Sequence, residues 1–271
     1  MGLDIEGFIT ERRYLKNVTH NTERWYKGAF IWLEKYCSDG VTPERLKSMV
    51  IGMRQQGLKG VTVNCQLRAI NAYLKWSGYP TPVPKLKEEV VVLPVFTRVQ
   101  VQKLMLWKPK KWTDKRLHAI IATLVDAGLR FDELLSLRRE DVNFDNRLFK
   151  IRGKGQKERM VPFSQELRRT LFKYLQTHEF QLLFPTSDGL KLMQRNIGRD
   201  VKLQCKKLGF TPPRRTIHAF RHTFALNYVR EGGSVFHLQR VLGHATLEMT
   251  MRYVHLQTED LLQNHRSLLA S

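Results

Sequence analysis

The chain has 271 residues, of which 46 are lysine or arginine and 25 aspartate or glutamate, a formal charge of +21. Hydrophobic residues make up 42%, enough to build packed cores, which excludes a disordered tail. The basic surplus points to a polyanionic partner, most simply nucleic acid, and no apolar run reaches membrane-spanning length.

The opening MGLDIEGF has neither a basic leader nor a signal core, and Glu6 stands where a myristoylation motif wants Ser or Thr. Cys37, Cys65 and Cys205 are odd in number and far apart, so they form neither a disulfide framework nor a zinc pattern. A cytoplasmic protein is expected, with no membrane partner. From about Asp4 to Gly78 the text reads as helical. Ile9, Tyr14 and Leu15 open it, and Thr22 is a candidate cap for a helix carrying Tyr26, Phe30, Leu33 and Tyr36 on one face. Thr42-Pro43-Glu44 is a helix start leading to Leu46, Met49, Val50 and Met53. Gly57 and Gly60 break that pattern, and Thr62 onward gives Val63, Leu67, Ile70 and Leu74 before Gly78 and Pro80 stop it. Short helices of this kind make a small bundle over 1–78.

Prolines at 80, 82, 84 and 94 then predict an extended linker over 79–95. Thr97 is a plausible cap for the next helix. A second helical segment spans about Thr113 to Ala127 and is broken by Gly128. Leu129-Arg130-Phe131-Asp132-Glu133-Leu134-Leu135 follows, with Arg130 at a helix start and Glu133 as a candidate partner that holds Arg130 or a neighbouring backbone group in place. From Asp141 to Phe163 the period becomes that of strands. Residues 148–151 and 159–163 flank Gly153-Lys154-Gly155-Gln156-Lys157, a β-hairpin with a glycine-rich, lysine-bearing turn. The ending GK[ST] of a phosphate-binding P-loop is absent. Leu167 to Thr177 is amphipathic. Arg195 to Leu208 is a basic helix, whose stripe is either a DNA-facing or a solvated surface.

The last third concentrates the chemistry. Thr216 is a candidate cap for a helix carrying His218, Arg221 and His222. Positions three apart share a helix face, so His218 and Arg221 can meet one phosphate. A zinc protease motif would need Glu where Ala219 stands, which argues against a metal site at His218 and His222. Gly232-Gly233 ends that helix, Val235 to Leu242 forms a short one, and Gly243-His244 closes it. Tyr253 comes nine residues after His244. A tyrosine hydroxyl, with a pKa near 10, attacks a phosphodiester only where cationic donors hold the phosphate. Arginine serves best, through its planar, permanently charged fork, and histidines add donors near neutral pH.

Arg130 after Gly128-Leu129, the GKG-x-KER-x-VP hairpin, His218-x-x-Arg221, Leu242-Gly243-His244 and Tyr253 together resemble the tyrosine recombinases, the phage-integrase and Xer-like family. The resemblance is specific from about Gly128 to Tyr253 and architectural before that. It implies a mainly α fold with a small antiparallel β-sheet (α+β): a helical core-binding domain over 1–78 that clamps DNA, the linker, and a catalytic domain over 96–271. It implies that Tyr253 forms a 3′-phosphotyrosyl link, that Arg130 and Arg221 clamp nonbridging oxygens, and that Lys154 is the general acid, with Lys157 and Arg159 as rivals. His218 would assist proton transfer from the tyrosine and His244 would donate to the phosphate. No metal or cofactor is called for, because the covalent link conserves the bond energy.

The implied partners are double-stranded DNA with specific recombination sites and a homo-tetramer on two duplexes, joined through a four-way junction. Accessory DNA-bending or directionality proteins fit the same scheme. The tetramer would be assembled by a last helix, capped by Thr258, that presents Leu261, Leu262, Leu268 and Leu269. Without a further N-terminal arm-binding segment, a compact Xer-like or transposon-type enzyme is expected. Phe131 and Asp132 depart from the smaller residues common after the arginine. Two alternatives remain: a helix-turn-helix regulator that binds DNA without cutting it, and a type IB topoisomerase-like enzyme that relaxes DNA.

Overall fold

The structure, a computed structural model, describes residues 2–88, 93–153 and 158–257. It divides into two compact units, Met1–Val91 and Val92–Ser271. Mostly helical, with one three-stranded antiparallel sheet, it has the fold class expected from the sequence. Among the described residues, no helix is long and apolar enough to cross a membrane.

The first unit is built from α1 (Ile5–Tyr14), α2 (His20–Cys37), α3 (Pro43–Gln55) and α4 (Gly60–Trp76). Phe8 organises its core. The ring meets Tyr26, Phe30, Tyr73 and Trp76 edge-on, with centroids 5.1–5.6 Å apart, and such pairs add roughly 0.5–1.5 kcal/mol each to their burial. Thr42 caps α3 through its side chain. The cap of α2 is Thr19, not Thr22. Thr19 takes the extended backbone of an N-cap, which points its hydroxyl at the Thr22 N–H, so the helix begins three residues earlier than expected. The proline-rich strap also behaves differently from a free linker over its first part. Asn71 holds Val83 by both N–H and C=O, and Asn64 does the same for Leu86, so the strap through residue 88 lies along α4. Two α4 asparagines two helical turns apart satisfy backbone groups that proline-rich chain cannot pair with itself.

The second unit opens on α5 (Arg98–Leu106), where Thr97 and Gln100 form a capping box. Next come α6 (Trp112–Ala127) and α7 (Phe131–Ser136). The strands β1 (Val142–Asn143), β2 (Leu148–Arg152) and β3 (Glu158–Pro162) follow in the order β1-β2-β3. The helices α8 (Gln165–Leu175), α9 (Gln194–Lys207), α10 (Thr216–Arg230) and α11 (Val235–Leu242) complete the unit, with helical backbone again over 248–257. Helix α6 is its axis: Leu117, Ile120, Ile121, Leu124 and Ala127 are all buried, as a helix wrapped on most sides requires. Phe149, Ile151 and Val161 supply the inner face of the sheet. Phe96 stacks on Phe220 at 4.3 Å, and its N–H donates to Thr223 Oγ1 at 2.8 Å, which ties the start of the unit to α10. Phe131 is buried beside Leu134 and Leu135, while the exposed Asp132 accepts from the Gln194 amide, so the two departures after Arg130 serve packing and a surface contact.

Thr216 does not cap α10. The N-cap is Arg215, held in the left-handed region at φ 57°, and the Thr216 hydroxyl turns back to donate to the Pro213 carbonyl at 3.0 Å. Pro212-Pro213 fix the incoming chain, leaving that carbonyl without an in-register partner until the threonine supplies one. Lys154 and Lys157, and the helix expected from Thr258 onward, lie outside the described residues.

Candidate active site

The site grows around the C-terminal end of α11. A helix end leaves its last carbonyls unpaired and carries partial negative charge. Here three consecutive carbonyls each receive a different arginine. Arg159 Nε donates to Val241 O at 2.9 Å, Arg221 Nη2 to Leu242 O at 2.6 Å, and Arg130 Nη2 to Gly243 O at 2.5 Å. The arginines come from β3, from α10 and from the start of α7, so three separate elements converge on one turn. Gly243 lies in the left-handed region at φ 63°, and a Cβ there would stand 3.2 Å from the Arg159 guanidinium and 3.3 Å from Arg130 Nη1. The glycine of the LGH turn is therefore required twice, by its backbone and by the guanidinium groups crowding it.

Glu133 organises the arginines in turn. Its carboxylate accepts from the Arg130 backbone N–H and from Arg130 Nη1, both at 2.9 Å, and from both Nη atoms of Arg159 at 2.8 Å. Burial alone would raise the Glu133 pKa, but the bonds and charges of Arg159 and Arg130 outweigh it and bring it to about 2. Arg159 is largely buried, whereas Arg130 is 43% exposed. The first guanidinium is structural scaffolding and the second is presented outward.

Arg221 is steered by the turn that ends α6. Gly128 adopts φ 57°, and its carbonyl accepts from Arg221 Nη1 at 2.9 Å. A Cβ on Gly128 would strike the Phe224 ring at 2.2 Å. Burial and then the neighbouring Arg130 pull the Arg221 pKa down to about 10, still well above neutrality, so it remains a cation.

His244 follows the glycine. Its N–H donates to Gln239 O, and Nδ1 pairs with the buried Thr250 hydroxyl at 2.8 Å, which fixes the ring. Burial, helped by Arg221 and Arg130, lowers its pKa to about 4, so the imidazole is neutral near pH 7. The ring lies parallel to Tyr253, centroids 6.4 Å apart and planes 13° apart. Tyr253 sits within the 248–257 helical segment at 2% exposure, and its hydroxyl pairs with His222 Nδ1 at 3.0 Å. Burial raises the tyrosine pKa, and Arg221 and Arg252 oppose that rise.

Of the residues singled out in the sequence, Arg130, Arg221, His244 and Tyr253 are thus gathered on one turn and the segment after it. His218 lies exposed in the first turn of α10, and the tyrosine hydroxyl is bonded to His222 instead. Glu133 does both things expected of it, holding the Arg130 side chain and the Arg130 backbone. Arg159, read in the sequence only as a rival to the lysine, is committed to Glu133 and Val241. Thr250 had no signal beyond being a polar residue on the tyrosine's helix.

The outward Arg130, the half-buried Arg221, a neutral histidine and a tyrosine around one cationic turn make an arrangement that can hold a phosphate beside a hydroxyl nucleophile. Residues 94–260 match the phage integrase family. The chain is 30% identical to tyrosine recombinase XerC of Thermodesulfovibrio yellowstonii, covering 96% of this chain and 93% of the relative. It is 30% identical to tyrosine recombinase XerA of Pyrococcus furiosus, over 91% of this chain and 87% of that one. Among solved structures, the Tn1549 transposon integrase in complex with circular intermediate DNA superposes with a TM-score of 0.78 at 22% identity, covering 93% of this chain and 95% of the other. The XerH site-specific recombinase bound to palindromic difH substrate superposes with a TM-score of 0.74 at 18% identity, over 98% and 84%. These two show a shared fold. The chain belongs to the phage integrase family, the tyrosine recombinases, enzymes that cleave and rejoin DNA.

Proposed function

We propose that the chain is a site-specific recombinase that breaks and rejoins double-stranded DNA through a 3′-phosphotyrosyl link at Tyr253. The observation that carries this reading is the convergence of Arg130, Arg221, His244 and Tyr253 at the end of α11. The two guanidinium groups hold the nonbridging oxygens and absorb charge as the pentacovalent state forms. His244, neutral and fixed by Thr250 through Nδ1, is left with Nε2 as a donor to the phosphate. His218, exposed one helical turn before Arg221 on the same face, assists proton transfer from the tyrosine. Lys154 supplies the proton to the leaving 5′ oxygen. The free 5′ hydroxyl of a partner strand then reverses the step, and two such exchanges pass through a four-way junction.

The DNA complexes of the Tn1549 integrase and XerH support duplex DNA as the partner, as does the charge of +21. The reading extends to the N-terminal helical unit as the core-binding clamp, to a tetramer on two duplexes, to accessory DNA-bending or directionality proteins and to a cytoplasmic setting.

A nicked suicide duplex tests the reading. Candidate DNA flanking the gene is pooled, mixed with wild type or Tyr253→Phe, and run on a denaturing gel. A covalent protein–DNA band with wild type that is absent with the variant is the expected result. Tight binding without a band on any duplex would favour a non-cutting regulator, and a band that survives Tyr253→Phe would show that another residue is the nucleophile.

A further inference from the structure

The tyrosine hydroxyl must lose a proton as it attacks, and at a pKa near 10 or above it does not do so unaided at neutral pH. A general base takes that proton at a heavy-atom separation of about 2.6–3.2 Å, or through one water. Among the described residues one basic atom lies at that separation: His222 Nδ1 is 3.0 Å from Tyr253 Oη, with the two rings inclined at 45°. The other histidines are differently employed. His244 Nδ1 is taken by Thr250, and its ring faces the flat of the tyrosine ring rather than the hydroxyl. His218 is exposed, one helical turn earlier on α10.

We propose that His222 is the proton acceptor for Tyr253, taking the phenolic proton on Nδ1 as the oxygen attacks phosphorus. This rests on the strand-cleaving reading above and adds to it the residue that activates the nucleophile.

The surroundings suit that role. For Nδ1 to accept, the ring must be neutral with its proton on Nε2. Burial, followed by Arg252, His218, Arg221 and Arg215, holds the His222 pKa down to about 4, and His244 faces it from beyond the tyrosine. Among the described residues the groups that shift the ring most are cationic or basic, so it stays an acceptor throughout the neutral range. Two of these cations, Arg221 and Arg252, oppose the rise that burial gives the tyrosine pKa. A phosphodiester arriving between Arg130 and Arg221 brings negative charge, offsets those cations and raises the basicity of His222 when it is needed.

The step balances. The Oη–H bond breaks and its proton goes to Nδ1, the Oη–P bond forms, and the P–O5′ bond breaks. The 5′ oxygen leaves with a proton from a separate acid on the enzyme. In the reverse direction the partner 5′ hydroxyl attacks phosphorus, and the imidazolium of His222 returns the proton to the departing phenolic oxygen.

The test is single-turnover adduct formation by the full chain on the suicide duplex, comparing wild type with His222→Asn and His222→Ala. Asparagine places an acceptor oxygen near the Nδ1 position and keeps the hydrogen bond, but it takes no proton. The expected result is that both variants slow adduct formation by about 100-fold, the low end of general-base contributions, with DNA affinity by gel shift unchanged. Free imidazole should partly restore His222→Ala. Replacing the bridging 5′ oxygen with sulfur, a leaving group that needs no protonation, should restore neither variant.

His222→Asn cleaving at the wild-type rate would overturn the proposal and leave only a positioning contact. Faster cleavage by either variant would overturn it in favour of a contact that restrains the tyrosine. Rescue by the sulfur substrate would move His222 to the leaving group and overturn it as well. Wild type that forms no adduct on any duplex overturns the strand-cleaving reading and this one together. Should His222→Ala fail to fold by its melting curve, the asparagine variant decides alone.

Discussion

Arg159 grips Glu133 with both terminal guanidinium nitrogens at 2.8 Å, and the same carboxylate holds Arg130. The outward arginine is therefore aimed by a pair that is itself nearly enclosed, the two side chains being 15% and 8% exposed. Breaking an enclosed pair by removing one partner costs roughly 3–5 kcal/mol, because the survivor is left charged without its counterion. Arg130 still faces Glu133, so the lower end applies to the loss of Arg159. Arg159→Gln should lower stability by about 3 kcal/mol in urea titration and slow adduct formation more than it weakens DNA binding.

Acid should expose the same network, in two stages. His222 and His244 have folded pKa values of about 4, below the ordinary 6.5. The unfolded chain therefore binds more protons, and the stability these rings contribute is lost as pH falls from about 6.5 to 4. Glu133 is also depressed, to about 2 from an ordinary 4.5. Its contribution is complete above about 4.5 and disappears as pH falls through 2, and the gap corresponds to roughly 3 kcal/mol. Melting temperatures across pH 7 to 2 should fall over both ranges. Glu133→Gln should flatten the second fall and leave the first.

Much of this was legible in the sequence because it depends on local chemistry. Gly128 and Gly243 announced the two turns, Thr97 its cap, and the spacing from Arg130 to Glu133 the contact between them. What was not legible depends on chain brought together across large separations. Nothing near His222 says that a tyrosine 31 residues on will meet its Nδ1. Nothing near Arg159 says that it will reach Val241 across 82 residues. The caps at Thr19 and Arg215 were misplaced for a different reason. At α2 two threonines were able to cap, and backbone geometry selected Thr19. Helix α10 instead starts at Arg215, which makes no side-chain cap bond, because its left-handed backbone and not its side-chain type sets the helix start.

The Gly128 turn makes its own prediction. Gly128→Ala puts a methyl group into the Phe224 ring and a Cβ into a left-handed residue. The backbone term alone is roughly 1–2 kcal/mol, and the overpacking adds roughly 1–3 kcal/mol. Because the Gly128 carbonyl positions Arg221, cleavage should suffer beyond the loss of fold. Thermal melting and adduct rates measured on the same preparation separate the two, and a large drop in melting temperature with an unchanged rate would contradict the coupling.

Thr250 separates packing from chemistry most cleanly. Its hydroxyl is buried and pairs with His244 Nδ1 at 2.8 Å, so it fixes which nitrogen of the imidazole faces outward. Valine preserves the volume and removes the hydroxyl, leaving Nδ1 without its partner. The loss of one buried hydrogen bond costs roughly 1 kcal/mol of stability. The larger effect should be on rate: a ring free to turn presents Nε2 in the right direction only part of the time, and partners that orient a histidine are commonly worth about 10–100-fold where the ring serves a reaction. Thr250→Val should therefore slow adduct formation by at least about 10-fold, while Thr250→Ser, which retains the hydroxyl but loses a methyl group, should keep most of the rate despite a similar loss of stability. If the serine variant is as slow as the valine one, the residue acts through packing, and His244 does not depend on that hydrogen bond for its orientation.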